Sequence, residues 1–271
     1  MDLLKRSHAP ILDAAWELVD AEAKRVLELT LAGRKVVDFR GPHGWKYAAV
    51  NTGRLKILSG AQEEVSLGVR LVQPLIETRV PIKLAIMELD TVARGADDLD
   101  LSPVVDAAKR IALVEDGAIF NGLATAAIEG ILPSTPHNVP LPADILQLPR
   151  VVVDAKEILR KSGIGGPYVL VLGTAHYELV YAATEDGRSL SKRLEQLVPE
   201  GHIVQSDAIQ GGALVSARGG DYELTVGQDL SIGYAYHTKH EVELYLTESF
   251  TFRVLEPAAA VRIGSPAPLK A

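Results

Sequence analysis

The most regular alternation of apolar and polar positions lies near the C-terminal end, between residues 219 and 254. Apolar side chains alternate with polar ones in three runs, which are Tyr222, Leu224 and Val226, then Val242, Leu244 and Leu246, and then Phe250, Phe252 and Val254. A period of two is typical of strands that bury one face. The pattern therefore predicts three half-buried strands, with Leu230 and Ile232 on a short crossing segment that carries Gly227 and Gly233 at its turns.

Two segments carry the spacing of three and four that is typical of amphipathic helices. The first runs from Asp13 to about Leu31, where Gly33 supplies the stop. The second and longest begins with serine and proline at Ser102 and Pro103, a pair that favours a helix start. Each has one apolar face, so we expect both helices to pack on a core.

The segments between these helices favour extended structure. Arg34 to Phe39 predicts a short strand, and strand-like runs extend from Pro74 to Leu89. Tyr47 to Val50 and Leu55 to Leu58, joined by Asn51 to Arg54, predict a two-stranded arm without a core of its own. An isolated hairpin is marginal in water, so the arm needs a covering surface, such as a neighbouring subunit.

Five prolines between residues 132 and 149 mark a boundary, after which a compact α+β unit is predicted. Its predicted helices are 151–160, 174–182 and 189–198, and its predicted strands are 168–172, 203–205 and 213–217. Residues 257–271 are rich in alanine and proline, and they are expected to fray.

Composition limits the classes of function. The 271 residues are 47% hydrophobic and 23% charged, as in soluble globular proteins, and no apolar run approaches the ~20 residues that a bilayer helix needs. The first residues are charged and lack an apolar leader, so no signal peptide is expected, and the chain contains no cysteine, which excludes disulfides. Both observations favour a cytoplasmic location. A net charge of −7 argues against a general nucleic-acid binder.

Motifs that carry catalysis are weak or missing. His237 and His240 stand three apart without a third ligand nearby, which favours a solvated turn over a metal site. No nucleophile elbow or cysteine supports a protease. Acidic pairs such as Glu115 and Asp116 are expected to be solvated faces or contacts between subunits instead of acid–base dyads.

Several motifs together resemble one family over nearly the whole chain. They are LKRSHAPI, GRKVVDFRGPHGWKYAAV, MELD, LVEDGAIFNG, GPYVLVLG, GGD, VGQDLSIGY and ESFTFRV. The chain is identified by them as similar to the encapsulins, which are also labelled linocin or bacteriocin shell proteins. The resemblance implies an α+β, tailed-phage major capsid fold of the Hong Kong 97 type.

The resemblance also implies a division of the chain. Residues 1–41, 77–134 and 225–256 would form the peripheral domain, and residues 42–76 the extended arm. Residues 135–224 would form the axial domain, followed by the 257–271 tail. The implied assembly is a closed icosahedral homo-oligomer, in its smallest, sixty-subunit form, with no nucleic acid and no membrane as partners.

Family members capture a cargo enzyme by a C-terminal targeting peptide that docks on the inner surface. The matching residues here are Leu31, Arg34, Asp38, Phe39, Asp229, Leu230 and Ile232. Apolar side chains in this set would bury the peptide, and charged ones would fix its register. For Leu31 and Phe39 the alternative interpretation, that they only close the subunit core, stays open.

Two further sites follow from the resemblance. A loop at the five-fold pore would contain Thr184, Glu185, Asp186, Gly187, Arg188 and Ser189. Some encapsulins bind flavin beside a tryptophan, but the equivalent position here is Met87, which offers no ring for stacking. No cofactor, metal or catalytic residue is therefore expected.

The expected function is a shell that encloses a ferritin-like iron oxidase or a dye-decolourising peroxidase, for iron storage or defence against oxidative stress. The alternatives are the coat of an integrated phage, and the secreted bacteriocin or protease of the family's older labels. The acidic balance argues against a coat that packages DNA. The missing signal peptide and nucleophile motif argue against the other two.

Overall fold

The computed structural model describes residues 3–58, 65–185, 187–199 and 202–264. The helices are α1 (Asp13–Thr30), α2 (Ile86–Ala93), α3 (Ser102–Phe120), α4 (Ile131–Ser134), α5 (Leu148–Lys161), α6 (Thr174–Ala182) and α7 (Leu190–Leu197). The strands are β1 (Asp38–Arg40), β2 (Ala49–Leu58), β3 (Leu67–Pro74), β4 (Ile76–Ala85), β5 (Asn138–Val139), β6 (Tyr168–Gly173), β7 (Thr184–Glu185), β8 (Arg188–Ser189), β9 (Ile203–Ser206), β10 (Gly212–Ser216), β11 (Tyr222–Val226), β12 (Ser231–His237), β13 (Glu241–Val254) and β14 (Ala260–Ile263).

Strand β13 organises the first sheet. It pairs with β4 on one side, and on the other side with β12 and then β11, while β1 adds to β11 in parallel. The two strands predicted within residues 242–254 are therefore one strand, because the alternation continues from Leu246 through Glu248 to Phe250.

The predicted crossing segment is also wrong, since residues 231–237 form strand β12. Gly233 hides the alternation because it carries no side chain. A Cβ at this position would lie 2.4 Å from Cζ of Tyr245, so the ring covers the glycine and takes the place of a side chain there.

The arm consists of β2 and β3, which pair with each other in a two-stranded sheet. The predicted turn at residues 51–54 is not a chain reversal, because Gly53 takes a φ of 72° within a strand that continues to Leu58. The pairing shifts register between Asn51 and Leu55 at this glycine. Residues 59–64, between the two strands, lie outside the described part of the chain.

The second sheet has the order β5-β14-β10-β6-β9. Strand β14 pairs with β10 and β5, and Ala260, Val261 and Ile263 are fully buried. The expectation that the chain frays from Pro257 is therefore wrong as far as Gly264, because these apolar side chains complete the core. Residues 265–271 lie outside the described part of the chain.

Two apolar clusters fill the described regions. One joins α1, α2 and α3 to β4, β12 and β13, and the other joins the second sheet and α4–α7 to β11 and the end of β13. Residues 86–89, predicted as extended, begin helix α2 instead, because Ile86, Leu89 and Val92 recur at helical spacing and pack on the first cluster. None of the described helices is long and apolar enough to span a membrane.

Candidate functional site

The turn after α1 is fixed by a carboxylate from α3. The backbone N–H groups of Ala32 and Gly33 donate to Asp116, at 3.0 and 2.8 Å. A Cβ on Gly33 would overlap Cδ1 of Ile119, so a larger residue here would require the Ile119 side chain to shift. The predicted strand 34–39 gives way to a 3-10 turn at Gly33–Lys35, from which Arg34 projects.

Asp116 is almost fully buried. Burial raises its pKa to about 6, although the two N–H donors and the Ser206 hydroxyl act in the opposite direction. Burial therefore disfavours the ionised form of Asp116, although the same buried position brings its carboxyl group to the N–H groups of the turn.

Arg34 lies at the centre of a buried charge cluster, which we call the Arg34 cluster and which consists of Arg34, Glu115, Asp229 and Glu248. Its Nε donates to Glu115 at 3.0 Å, and its Nη2 donates to Glu115 at 2.7 Å and to Glu248 at 2.5 Å. Its Nη1 donates to Asp229 at 2.9 Å. Within the described residues, these acceptors engage four of the five guanidinium N–H groups, so one Nη1–H is left for another acceptor.

Electrostatics in the cluster follow from burial. Burial would lower the pKa of Arg34, but its hydrogen bond with Glu115 and the charges of Glu115, Glu248 and Asp229 raise it above its ordinary value. Glu248 is fully buried, and burial, reinforced by neighbouring Glu115, raises its pKa well above the ordinary range despite Arg34. Its Oε2 has no hydrogen-bond partner among the described residues.

The expectation of solvated acidic pairs is wrong for Glu115 and Asp116, which are both buried. The sequence does indicate that both are buried, because they follow Ile111 and Ala112 by four positions on the apolar stripe of α3. Glu248 could have been found in the same way, since it lies midway between Leu246 and Phe250 in an alternating strand.

A cavity of about 640 Å³, which we call the first cavity, opens between α1 and β12 beside Arg34. Five of the predicted cargo-contact residues line it, namely Leu31, Arg34, Asp229, Leu230 and Ile232. Sequence reasoning missed other lining residues, which include Leu4, Arg6, Asp20, Leu27, Lys24 and Leu246. The missed residues come from the N-terminal segment, from α1 and from β13, and no local pattern in these segments indicates a groove.

Asp38 and Phe39 do not line the first cavity. The Asp38 carboxylate accepts a 2.6 Å hydrogen bond from the Gly220 N–H and so holds the turn before β11. Phe39 is 37% exposed, and its ring centroid lies 5.1 Å from Cζ of Arg34. Phe39 therefore touches the Arg34 cluster from outside the cavity through a cation–π contact.

Leu31, Leu230 and Ile232 differ in burial. Ile232 is 3% exposed and Leu31 is 7% exposed, and both belong to the apolar cluster of the first sheet. Leu230 is only partly buried and packs on the edge of that cluster. A charge at Ile232 would therefore unfold the subunit locally, whereas a charge at Leu230 tests the cavity.

The predicted pore loop forms a small hairpin in which β7 pairs with β8. Gly187 takes a φ of 75° in its turn, and Asp186 lies outside the described residues. Glu185 forms an ion pair with Arg193 on α7. The negative charge of Glu185 is thus partly balanced within its own subunit, while Arg188 adds a positive charge at the neighbouring position.

Other candidate chemistry is sparse in the part of the chain that the structure describes. Met87 is 78% exposed at the start of α2. His237 contacts the Tyr234 hydroxyl at 2.6 Å, and no group of three or more metal-ligating side chains occurs among the described residues. The Ser162 hydroxyl lies 3.0 Å from Nε2 of His137, but no described carboxylate bonds that histidine, so the pair lacks the third member of a catalytic triad.

Solved structures with this architecture include a virus-like particle and a phage-related protein. A virus-like particle from Pyrococcus furiosus superposes with a TM-score of 0.63 at 16% identity, covering 91% of this chain and 98% of that one. A phage-related protein from Bordetella bronchiseptica superposes with a TM-score of 0.55 at 15% identity, covering 97% and 100%. These likenesses confirm the predicted fold class, that of the tailed-phage capsid proteins.

Sequence comparison narrows this class to one family. Residues 1–251 match the family model described as "Encapsulating protein for peroxidase". A type 1 encapsulin shell protein of Rhodospirillum rubrum is 46% identical, with 96% of each chain covered. Another from Mycobacterium tuberculosis is 39% identical, covering 97% of this chain and all of that one. The chain belongs to the type 1 encapsulin shell family, which confirms the predicted resemblance, and its role is that of a shell protein.

Proposed function

We propose that copies of this chain close into a cytoplasmic icosahedral shell of sixty subunits, and that the shell captures a cargo enzyme by the enzyme's C-terminal targeting peptide. The carrying observation is the first cavity, because five of the seven residues expected to bind the peptide line one opening. A peroxidase is the favoured cargo, since the matching family is described by peroxidase encapsulation. Defence against oxidative stress is then the shell's task.

The first cavity suits an apolar peptide segment. Its walls combine aliphatic side chains of α1 with Leu230 and Leu246 of the sheet. Each methylene group that such a peptide buries there contributes about 0.8 kcal/mol. A disordered tail loses entropy on docking, so a few anchoring side chains must supply most of the affinity, helped by the many equivalent sites in one shell.

Arg34 supplies the polar part of the site. Three carboxylates hold its guanidinium group in one orientation, so little side-chain entropy is lost when a ligand binds. The remaining Nη1–H can donate to a backbone carbonyl of the peptide. Asp229, which is more exposed than Glu115 and Glu248, can accept from a peptide N–H.

The test is Leu230→Asp in shells co-expressed with a fluorescent reporter that carries the native cargo tail. A carboxylate at this position would be buried without a partner only when the tail docks. We expect intact particles by electron microscopy and at least a tenfold loss of reporter fluorescence per particle, as about 1.4 kcal/mol or more of binding energy is removed.

The matched control is Leu230→Met, which keeps an apolar side chain of similar volume and should load fully. Full loading of intact Leu230→Asp shells would remove the first cavity from cargo capture. Loss of the particles themselves would assign Leu230 to the subunit core, and docking would then be tested with Leu230→Ala, which removes apolar contact without adding a charge.

A ferritin-like iron oxidase is the second cargo candidate, and the corresponding task is iron storage. Mass spectrometry of particles purified from the native cell would identify the enclosed enzyme directly. A peroxidase in the particle supports the favoured assignment, and a ferritin-like protein replaces it without affecting the docking proposal.

A further inference from the structure

A second cavity of about 590 Å³ adjoins the first cavity near the start of α1. Its lining residues are Arg6, Ser7, Ala9, Ile11, Asp13, Trp16, Glu17 and Asp20. Arg6 and Asp20 line both cavities, so these two side chains form the wall between them. Moving this wall would join the cavities into one longer groove along α1.

Arg6 occupies a cation position in this wall. Its Nη1 and Nη2 donate to the two carboxylate oxygens of Asp20, at 3.2 and 2.6 Å. Its Cζ lies 3.9 Å from the centroid of the Trp16 ring. A carboxylate together with an indole face is a combination that binds guanidinium and ammonium groups.

The ion pair between Arg6 and Asp20 is partly exposed and can break at a small cost in free energy. The side chains of Arg6 and Asp20 are 31% and 45% exposed, and ion pairs with that much exposure contribute little to stability. The segment around Arg6 is held separately, because the carbonyls of Leu3 and Leu4 accept hydrogen bonds from the Tyr245 hydroxyl and the Tyr234 N–H. Arg6 can therefore leave Asp20 while the N-terminal segment stays attached to the sheet.

The two cavities differ in the balance of charge. The first cavity is lined by both signs, with the basic side chains of Arg6, Lys24, Arg34 and Lys35 beside the acidic ones of Asp20, Glu28 and Asp229. Apart from Arg6, the charged side chains that line the second cavity are all acidic, namely Asp13, Glu17 and Asp20. A basic side chain that entered the second cavity would find compensating charge there, and an acidic one would be repelled.

We propose that the second cavity is a subsite of the cargo groove that takes a basic side chain flanking the apolar part of the tail, and that Arg6 is the latch that yields its position on Asp20 and Trp16. This inference rests on the proposed docking of a tail in the first cavity. When a basic side chain of the tail replaces Arg6 beside Asp20, the net charge of the second cavity does not change. A tail with a neutral or an acidic side chain at this position does not supply that charge and binds less well.

The test uses three fluorescent reporters with designed tails, which share one short segment of leucine residues and differ only in the flanking residue, which is Arg, Gln or Glu. We expect wild-type shells to load the Arg tail about threefold more than the Gln tail and to load the Glu tail least, an effect of the size of one exposed ion pair. In Asp20→Asn shells the difference between the Arg and Gln tails should vanish. In Arg6→Gln shells it should grow, because the cation position no longer has an internal occupant.

The matched control is Glu22→Gln, since Glu22 lies on the same helix, pairs with Arg25 and lines neither cavity. Equal loading of the three tails by wild-type shells, or an unchanged preference in Asp20→Asn shells, would overturn the subsite. If the Gln tail loads normally in those experiments, the docking proposal still stands. If no tail loads in any shell, and Leu230→Asp makes no difference, the docking proposal itself fails.

Discussion

The arm and the Arg34 cluster differ in which side chains they expose and which they bury. The arm, β2 and β3, exposes seven aliphatic side chains that are 40–68% accessible, which are Leu55, Ile57, Leu58, Leu67, Val69, Leu71 and Val72. The Arg34 cluster instead buries Glu115 and Glu248 completely, at the junction of α1, α3 and the first sheet. Apolar groups are left outside and charged groups are enclosed, which reverses the usual distribution in both regions.

This difference separates two functions. A two-stranded ribbon with exposed apolar faces gains stability when another surface covers it, so we expect the arm to act in assembly. The buried carboxylates pair with Arg34 inside one subunit, so the Arg34 cluster forms without a neighbour and borders the proposed cargo groove. The predictions below test this separation in order of decreasing effect.

Deleting residues 49–67 should abolish shell closure, because each subunit then loses the surface that reaches its neighbour. Light scattering and electron microscopy should show small oligomers in place of closed particles. The cluster at Arg34 lies outside the deletion, so circular dichroism of the truncated chain should retain the helical signal. Shells of unchanged size would show that the arm is not needed for closure.

Replacing Arg34 by alanine should destabilise the subunit by about 3–5 kcal/mol, because Glu115 and Glu248 would remain buried without a counter-cation. Chemical unfolding followed by tryptophan fluorescence measures this loss. Arg40→Ala is the control, since Arg40 is 61% exposed and pairs with Glu223 at 3.4 Å. It should cost no more than about 1 kcal/mol. Equal costs for the two variants would contradict a cluster that is complete within the subunit.

The pH dependence of stability should reveal Asp116. Its pKa is raised from the ordinary value of 3.8 to about 6 in the folded chain, so the folded state binds the proton more tightly than the unfolded state does. Stability from this group is therefore complete below about pH 4 and is lost as the pH rises through about 6, by roughly 3 kcal/mol. Burial raises the pKa of Glu248 too, which adds a loss of the same sign.

Thermal unfolding of shells in half-unit pH steps should show this decline in wild type and a flatter profile in Asp116→Asn. The variant should also be less stable at low pH, because its amide can accept only one of the two bonds from Ala32 and Gly33. Asp106→Asn, on the exposed side of α3, should keep the wild-type profile. A wild-type slope in Asp116→Asn would assign the pH dependence to other groups.

The smallest effect is expected at the loop of residues 184–189, which is predicted to line the five-fold pore. In shells loaded with a ferritin-like iron oxidase, neutralising Glu185 and Asp186 should slow iron oxidation at low ionic strength by less than about twofold, because Arg193 already balances Glu185. Arg193→Gln should have the opposite effect and speed the reaction. Both differences should fade at high salt. Rates that do not change in either variant would remove this loop from the path of cations.

Some features follow from the sequence because they depend on near neighbours. Helix α6 is predicted at residues 174–182 and is observed there, and β11 and the start of α3 also agree. Helical and strand periods involve positions at most four apart, so a single chain displays them. The family assignment has the same character, because it rests on short motifs at fixed spacings.

Only part of the lining of the first cavity could be predicted from the sequence. The family resemblance indicated Leu31, Arg34 and residues 229–232, but not Glu115 and Glu248, which orient Arg34. Glu115 and Glu248 lie 81 and 214 positions from Arg34 along the chain, and Asp229 lies 195 positions away. No local period connects such residues, although the apolar stripes around Glu115 and Glu248 do signal that each is buried.

Strand partners were the other part that only the tertiary structure decided. The sequence determined that residues 242–254 alternate, but the pairing with β4 joined them into one strand, and the same sheet drew Ser231–His237 in as a further strand. Likewise, β14 is ordered because β10 and β5 offer free edges beside it. Backbone hydrogen bonds between distant segments form only when the whole sheet is in place, so local sequence can specify a strand's alternation but not its neighbours.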